Sequence, residues 1–165
     1  LQKLFRHLKK ILMIKINVIV KDKSWFKFLK YPDTYIKKKV KKIQKDKFFK
    51  NKKYQFSLQL SGSKEIKLLN NKFRKKNKST DVLSFPFHDK KVLKKIINTK
   101  SDIYLGDIII NYKKISNFSK TIFKKHLDIL WVHGLVHLFG YNHKKNKSYK
   151  KMRSIEKKFL KILNK

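Results

Sequence analysis

The sequence predicts an α+β fold, a small four-stranded mixed sheet packed with four to five helices in a single domain. Three observations predict it. Four short runs either alternate apolar and polar residues or are dense in β-branched and aromatic side chains. Segments with apolar residues at helical spacing lie between and after them. No Gly/Ser linker, internal repeat or break in composition divides the 165 residues.

Residues 1–12 read as an extension ahead of a natural start at Met13, and residues 13–165 as the domain. Ile14, Ile16, Val18 and Val20 form the first alternating strand. The lysine-rich stretch 34–50 places Ile36, Val40, Ile43 and Phe48 on one helical face. Phe56, Leu58 and Leu60 in YQFSLQL make the second strand. After Ser61-Gly62-Ser63, a natural helix start, residues 64–75 put Ile66, Leu69 and Phe73 on one side. The stretches DVLSFPF (81–87) and IYLGDIII (103–110) are the third and fourth strands. Pro86 belongs at a strand end or edge, because it has no N–H to donate. Residues 119–139 carry Phe123, Leu127, Leu130 and Leu138 along one side, with Gly140 as the stop. The final helix, about 147–163, repeats Met152, Ile155, Phe159 and Ile162.

The net charge is +36, with three arginines (Arg6, Arg74 and Arg153) among 46 basic residues. Such a chain attracts polyanions, of which nucleic acid is the usual one. The lysines spread through every segment without a dense block, as a compositional bias would also produce. The bias accounts for the amount of charge and leaves the attraction intact. No cysteine is present, which excludes disulfides and thiolate metal sites, so any metal needs nitrogen or oxygen ligands. No apolar run approaches the roughly 20 residues of a membrane span. The N-terminal LQKLFRHLKKILMIKINVIV joins basic and apolar residues, but Lys15 and Asn17 interrupt it and no small-residue cleavage site follows. The chain reads as cytoplasmic, with no membrane partner.

HGLVHLFGYNH, from His133 to His143, holds three of the six histidines. On a helix, His133 and His137 project from one face one turn apart. Gly140 ends the helix, and Tyr141-Asn142 turn the chain so that His143 returns to the same point. A single histidine is more often a core or surface residue than a ligand. Three at this spacing point to a metal, and His7, His88 and His126 lack such company. Three neutral imidazoles suit one zinc ion per chain and leave a fourth tetrahedral position open, as in catalytic sites. The spacing is that of the metzincin peptidases in all but one position: Gly134 stands where their general-base Glu belongs. That argues against peptide hydrolysis.

At these residues the chain resembles the YbeY-type endoribonucleases, also called rRNA maturation factors, whose signature is H-G-x-L-H-L-x-G-Y-D-H. LNNKFRKKNKSTDVLSFPF (69–87), LGDIII (105–110) and MIKINVIV look similar to the family as well. The resemblance spans about residues 13–163. It implies a zincin-like α+β fold and a zinc-dependent, single-strand-specific endoribonuclease acting in 16S rRNA 3′-end maturation and ribosome quality control. The implied partners are single-stranded RNA, rRNA and the small ribosomal subunit. His133, His137 and His143 match the zinc ligands, and Arg74 matches the family's functional arginine; these four are the expected catalytic set. A guanidinium fork can hold a phosphate bidentately, which an ammonium cannot. Thr80, Asp81 and Ser84 are further cleft candidates, although a strand with its cap accounts for them equally well. Two positions depart from the signature. Val136 replaces Leu, a change of little consequence, and Asn142 replaces Asp, which removes a charge from a position suited to orienting an imidazole. The alternative reading is a non-catalytic ribosome assembly factor that binds rRNA, its metal structural or vestigial.

Overall fold

A computed structural model describes residues 14–49, 52–100, 102–143 and 145–165. The proposed extension over residues 1–12, with His7, lies outside the described residues. The strands are β1 (Ile14–Val20), β2 (Lys53–Ser61), β3 (Val82–Pro86) and β4 (Asp102–Asn111). The helices are α1 (Pro32–Ile43), α2 (Ser63–Arg74), α3 (Lys90–Thr99), α4 (Lys120–Leu138) and α5 (Asn146–Leu163). Among the described residues this is the α+β arrangement expected, a four-stranded mixed sheet with five α-helices.

The sheet order is β1-β2-β4-β3. β1 and β2 are parallel with Ile16 beside Phe56, β2 and β4 are parallel, and β3 runs antiparallel to β4 with Ser84 beside Ile108. Parallel neighbours need a crossover, and α1 provides it between β1 and β2. β3 is an edge strand, and Pro86 closes it, where a missing N–H costs no ladder bond.

Alternation decides which side of the sheet is the core. Tyr54, Phe56, Leu58 and Leu60 of β2 face one way and join Ile14, Ile16, Ile103, Ile108 and Ile110 beneath α1, α4 and α5. The other face carries a smaller cluster in which Ile66 of α2 covers Leu83 and Ile109. Fully burying each such aliphatic or aromatic side chain contributes roughly 1.5–3 kcal/mol.

A buried carboxylate fixes α4 against α1. Asp128 is 5% exposed and accepts from Trp131 Nε1 at 3.0 Å and Tyr35 Oη at 3.1 Å. Lys39 Nζ lies 2.8 Å from Oδ2, the oxygen that also accepts from Tyr35, so the charge is both paired and hydrogen-bonded. Burial, reinforced by that carboxylate, pushes the Tyr35 phenol far above its usual range.

Two boundaries differ from the sequence expectation. The helix expected over 34–50 starts at Pro32 and ends at Ile43. Asp46 Oδ1 accepts from Phe48 N–H at 2.8 Å, and the chain then takes a short 3₁₀ turn over Lys47–Phe49. A side-chain bond of this kind competes with helix continuation. The fifth helix, α3, was not placed by the sequence reading. Asp89 Oδ1 caps it, accepting from Lys91 N–H and Val92 N–H at 2.8 and 2.9 Å. Among the described residues, no helix is long and apolar enough to cross a membrane.

Candidate metal centre

α4 carries His133 and His137 in its last two turns, where it ends in a Schellman motif. Gly140 takes φ +80°, its N–H donates to His137 O at 2.8 Å, and Tyr141 N–H donates to Val136 O at 3.4 Å. The left-handed residue reverses the chain at once, and that reversal brings His143 back beside His133 and His137. One ring nitrogen from each of the three lies within 4.8 Å of the others. The His143 ring centroid is 5.9 Å from that of His133 and 5.2 Å from that of His137. His133 and His137 are half-buried, whereas His143 is exposed, so the cluster is open to solvent on the His143 side.

Two of the imidazoles are held from behind. His133 Nδ1 lies 2.7 Å from Glu156 Oε1 on α5, and His137 Nδ1 donates to Tyr141 O at 2.8 Å. Each contact takes the Nδ1 proton and leaves the Nε2 lone pair facing inward. The two Nε2 atoms are 3.0 Å apart. Two lone pairs directed at each other repel unless a cation lies between them. The edge of a tetrahedron with Zn–N bonds of 2.0–2.1 Å is about 3.3 Å, so the spacing fits a zinc-sized ion with a small relaxation. Burial, with the neighbouring His133 and His143 rings, pulls His137 down to about 4, against the opposing effect of the Tyr141 carbonyl. The imidazole is therefore neutral and ready to ligate at neutral pH.

Gly134 has a packing reason. A Cβ at this position would lie 2.7 Å from Ile108 Cγ2 on β4, so α4 can lie this close to the sheet only with glycine here. The position of the missing peptidase base faces the sheet.

Arg74 ends α2, exposed, and its Nη2 donates to Ser84 O at 3.2 Å. The β3–β4 ladder bonds fall on the pairs 81/111 and 87/105, so by alternation Ser84 turns its carbonyl outward from the sheet. Arg74 thus caps the free edge of β3. Among the described residues it shares no hydrogen bond with the three histidines. Thr80 and Asp81 serve the start of the strand: Asp81 Oδ1 accepts from Val82 N–H at 2.8 Å and from Thr80 Oγ1 at 3.0 Å. His88 packs against Phe87 and His126 against Phe118; neither joins a metal-type cluster among the described residues.

Glu156 is the site residue that the sequence reading missed. It is the only acid in α5, among seven lysines and arginines, and only 13% of its side chain is exposed. A lone carboxylate next to the apolar face of a basic helix was the available signal. Asn142, the departure from the signature, lies 3.2 Å from Ser148 Oγ at the start of α5.

The family model described as Endoribonuclease YbeY matches residues 21–164. A protein named Endoribonuclease YbeY from Pelagibacter ubique is 42% identical over 143 residues, covering 85% of this chain and 90% of that one. Another of the same name from Bartonella henselae is 34% identical over 156 residues, covering 92% and 94%. A solution structure of a Thermotoga maritima protein superposes with TM-score 0.50 at 26% identity, covering 91% of this chain and 88% of that one.

Proposed function

Since the chain belongs to the YbeY endoribonuclease family, we propose that it is a zinc-dependent, single-strand-specific endoribonuclease. In this reading it acts in the cytoplasm, in 16S rRNA 3′-end maturation and ribosome quality control, on rRNA of the small ribosomal subunit. The observation that carries the proposal is the convergence of three imidazole nitrogens within 4.8 Å, two of them with Nε2 directed inward.

His133, His137 and His143 would hold the ion, one per chain. A zinc ion held there would supply Lewis acidity towards a phosphate oxygen and would offset negative charge that builds on cleavage. Glu156 and the Tyr141 carbonyl keep the ligand rings from rotating, and the neutral state of His137 spares it a proton loss before ligation. After its bond to Ser84 O, Arg74 retains further N–H donors with which to hold an RNA phosphate bidentately. The many surface lysines would retain the RNA backbone without reading its sequence. Gly134, packed on Ile108, supplies no carboxylate for peptide hydrolysis.

The test is cleavage of a 16S 3′-end precursor RNA by the purified protein beside His137→Ala prepared identically, with bound zinc measured in both. Cleavage by the wild type alone is the expected result. Equal cleavage by both would mark a contaminant. No cleavage by either, with retained binding to the small subunit, would favour a non-catalytic assembly factor.

A further inference from the structure

Beside the histidines lies a pocket that none of the roles above uses. Phe48, Tyr54, Phe139 and Tyr141 form an aromatic floor and wall, extended by Leu93 and Ile97 of α3, around a cavity of about 300 Å³. The rings pack on one another: Phe48 and Tyr54 lie 5.0 and 5.1 Å from Phe139, and Tyr141 lies 6.5 Å from Phe48. The rim is cationic, from Lys90, Lys94 and Lys151. Lys90 Nζ and Lys151 Nζ each sit 5.8 Å from the centre of the Tyr141 ring. A second cavity, also of about 300 Å³, shares Lys90, Tyr141 and Lys151 and continues past Asn142 to Lys145 and Lys147. Among the described residues, no acidic side chain lines either cavity.

Tyr141 joins this pocket to the metal centre. Its ring is the shared wall, while its carbonyl holds His137 Nδ1 at 2.8 Å. Lys90 is placed by the same turn, since a Cβ on Gly140 would meet Lys90 Cβ and Cγ at 3.1 Å.

An aromatic floor accepts a planar apolar ring and repels a phosphate; a lysine rim does the reverse. Single-stranded nucleic acid presents both groups in alternation, whereas a duplex hides the faces of its bases. We propose that this pocket is a nucleotide subsite for single-stranded RNA: one unstacked base enters against Tyr141 and Phe48, and its flanking phosphates rest on Lys90, Lys94 and Lys151. Calling the ligand RNA rests on the nuclease reading; the pocket's chemistry does not. The subsite would make the preference for single strands a property of the wall next to the metal ligands.

The test is binding of a labelled short oligoadenylate, followed by fluorescence anisotropy in the presence of a chelator, so that its outcome is independent of whether the protein cleaves RNA. Lys90→Gln/Lys94→Gln/Lys151→Gln is expected to weaken binding by about tenfold or more, and the equally charged control Lys27→Gln/Lys38→Gln/Lys67→Gln by only about two- to threefold. Tyr141→Phe should bind as the wild type, whereas Tyr141→Ala should lose about tenfold through the missing stack. Inorganic polyphosphate, which has no bases, should bind Tyr141→Ala and wild type alike. Equal weakening by the two lysine triples, or wild-type oligoadenylate binding by a folded Tyr141→Ala, would overturn the proposal and leave a plain charged surface. The lysine comparison decides alone if Tyr141→Ala does not fold, because all six lysines are exposed.

Discussion

Glu156 holds His133 at 2.7 Å from the neighbouring helix, and its carboxylate favours the tautomer that directs Nε2 at the metal position. Glu156→Gln can still accept a hydrogen bond there but loses the charge that makes the imidazole a stronger donor to the ion. Zinc affinity should fall by roughly 10–100-fold, measured by competition with a chromophoric chelator, while His133→Ala should abolish stoichiometric binding. An unchanged affinity in Glu156→Gln would show that the carboxylate does not tune the ligand. The histidines themselves were legible because four-residue spacing on a helix and a glycine stop are local properties of the chain. Glu156 was not, because its contact with His133 depends on how α5 lies against α4.

At the scale of elements, α4 is the scaffold of the site, and Gly134 sets its distance from the sheet. The methyl of Gly134→Ala would meet the Ile108 side chain at three atoms, the nearest at 2.7 Å and the others at 3.1 Å. Overpacking of this kind costs about 1–3 kcal/mol, which should appear as a lower urea midpoint. Because the displaced helix carries two of the three proposed ligands, zinc affinity should fall as well. Stability equal to wild type would mean that Ile108 gives way and α4 stays in place. The four strands were readable from alternation, and Pro86 at the end of an edge strand from its missing donor. The overrun of the first helix and the unplaced α3 have one cause. Asp46 and Asp89 each bond to backbone amides two or three residues on, but Asp46 opens a turn where Asp89 starts a helix. Which outcome follows depends on what the next residues pack against: Phe48 and Phe49 enter the aromatic cluster, while Leu93 carries α3 onto the core.

Across the whole molecule, a charge of +36 makes the few carboxylates valuable as fasteners. Asp46 reaches Lys158 of α5 at 2.6 Å, joining segments 112 residues apart. Partial burial works to raise the Asp46 carboxyl, but the Lys158 ammonium and the Phe48 amide outweigh it and hold the group below the usual carboxylate range. A carboxyl lowered by folding contributes stability above its unfolded value, near 3.8, and loses that contribution as pH falls through its lower folded value. Asp46→Asn should therefore be less stable by about 1 kcal/mol at pH 5–8, a modest figure because the Lys158 side of the pair is open to solvent. The difference from wild type should narrow below about pH 4, as denaturation midpoints across the range would reveal. A gap that stays constant into strong acid would assign the loss to packing.

The sequence by itself determined the α+β class, the strands, most of the helices and the three histidines that converge on one point. Each rests on periodicity or on chemistry within one turn of chain, which the fold does not alter. Only the tertiary structure decided that Glu156 stands behind His133, that Gly134 faces the sheet, that Arg74 caps the edge of β3, and that α3 and the Tyr141 turn enclose an aromatic pocket rimmed with lysine. These are contacts between distant segments. In a chain with so many exposed lysines, residue type alone does not mark which of them meet.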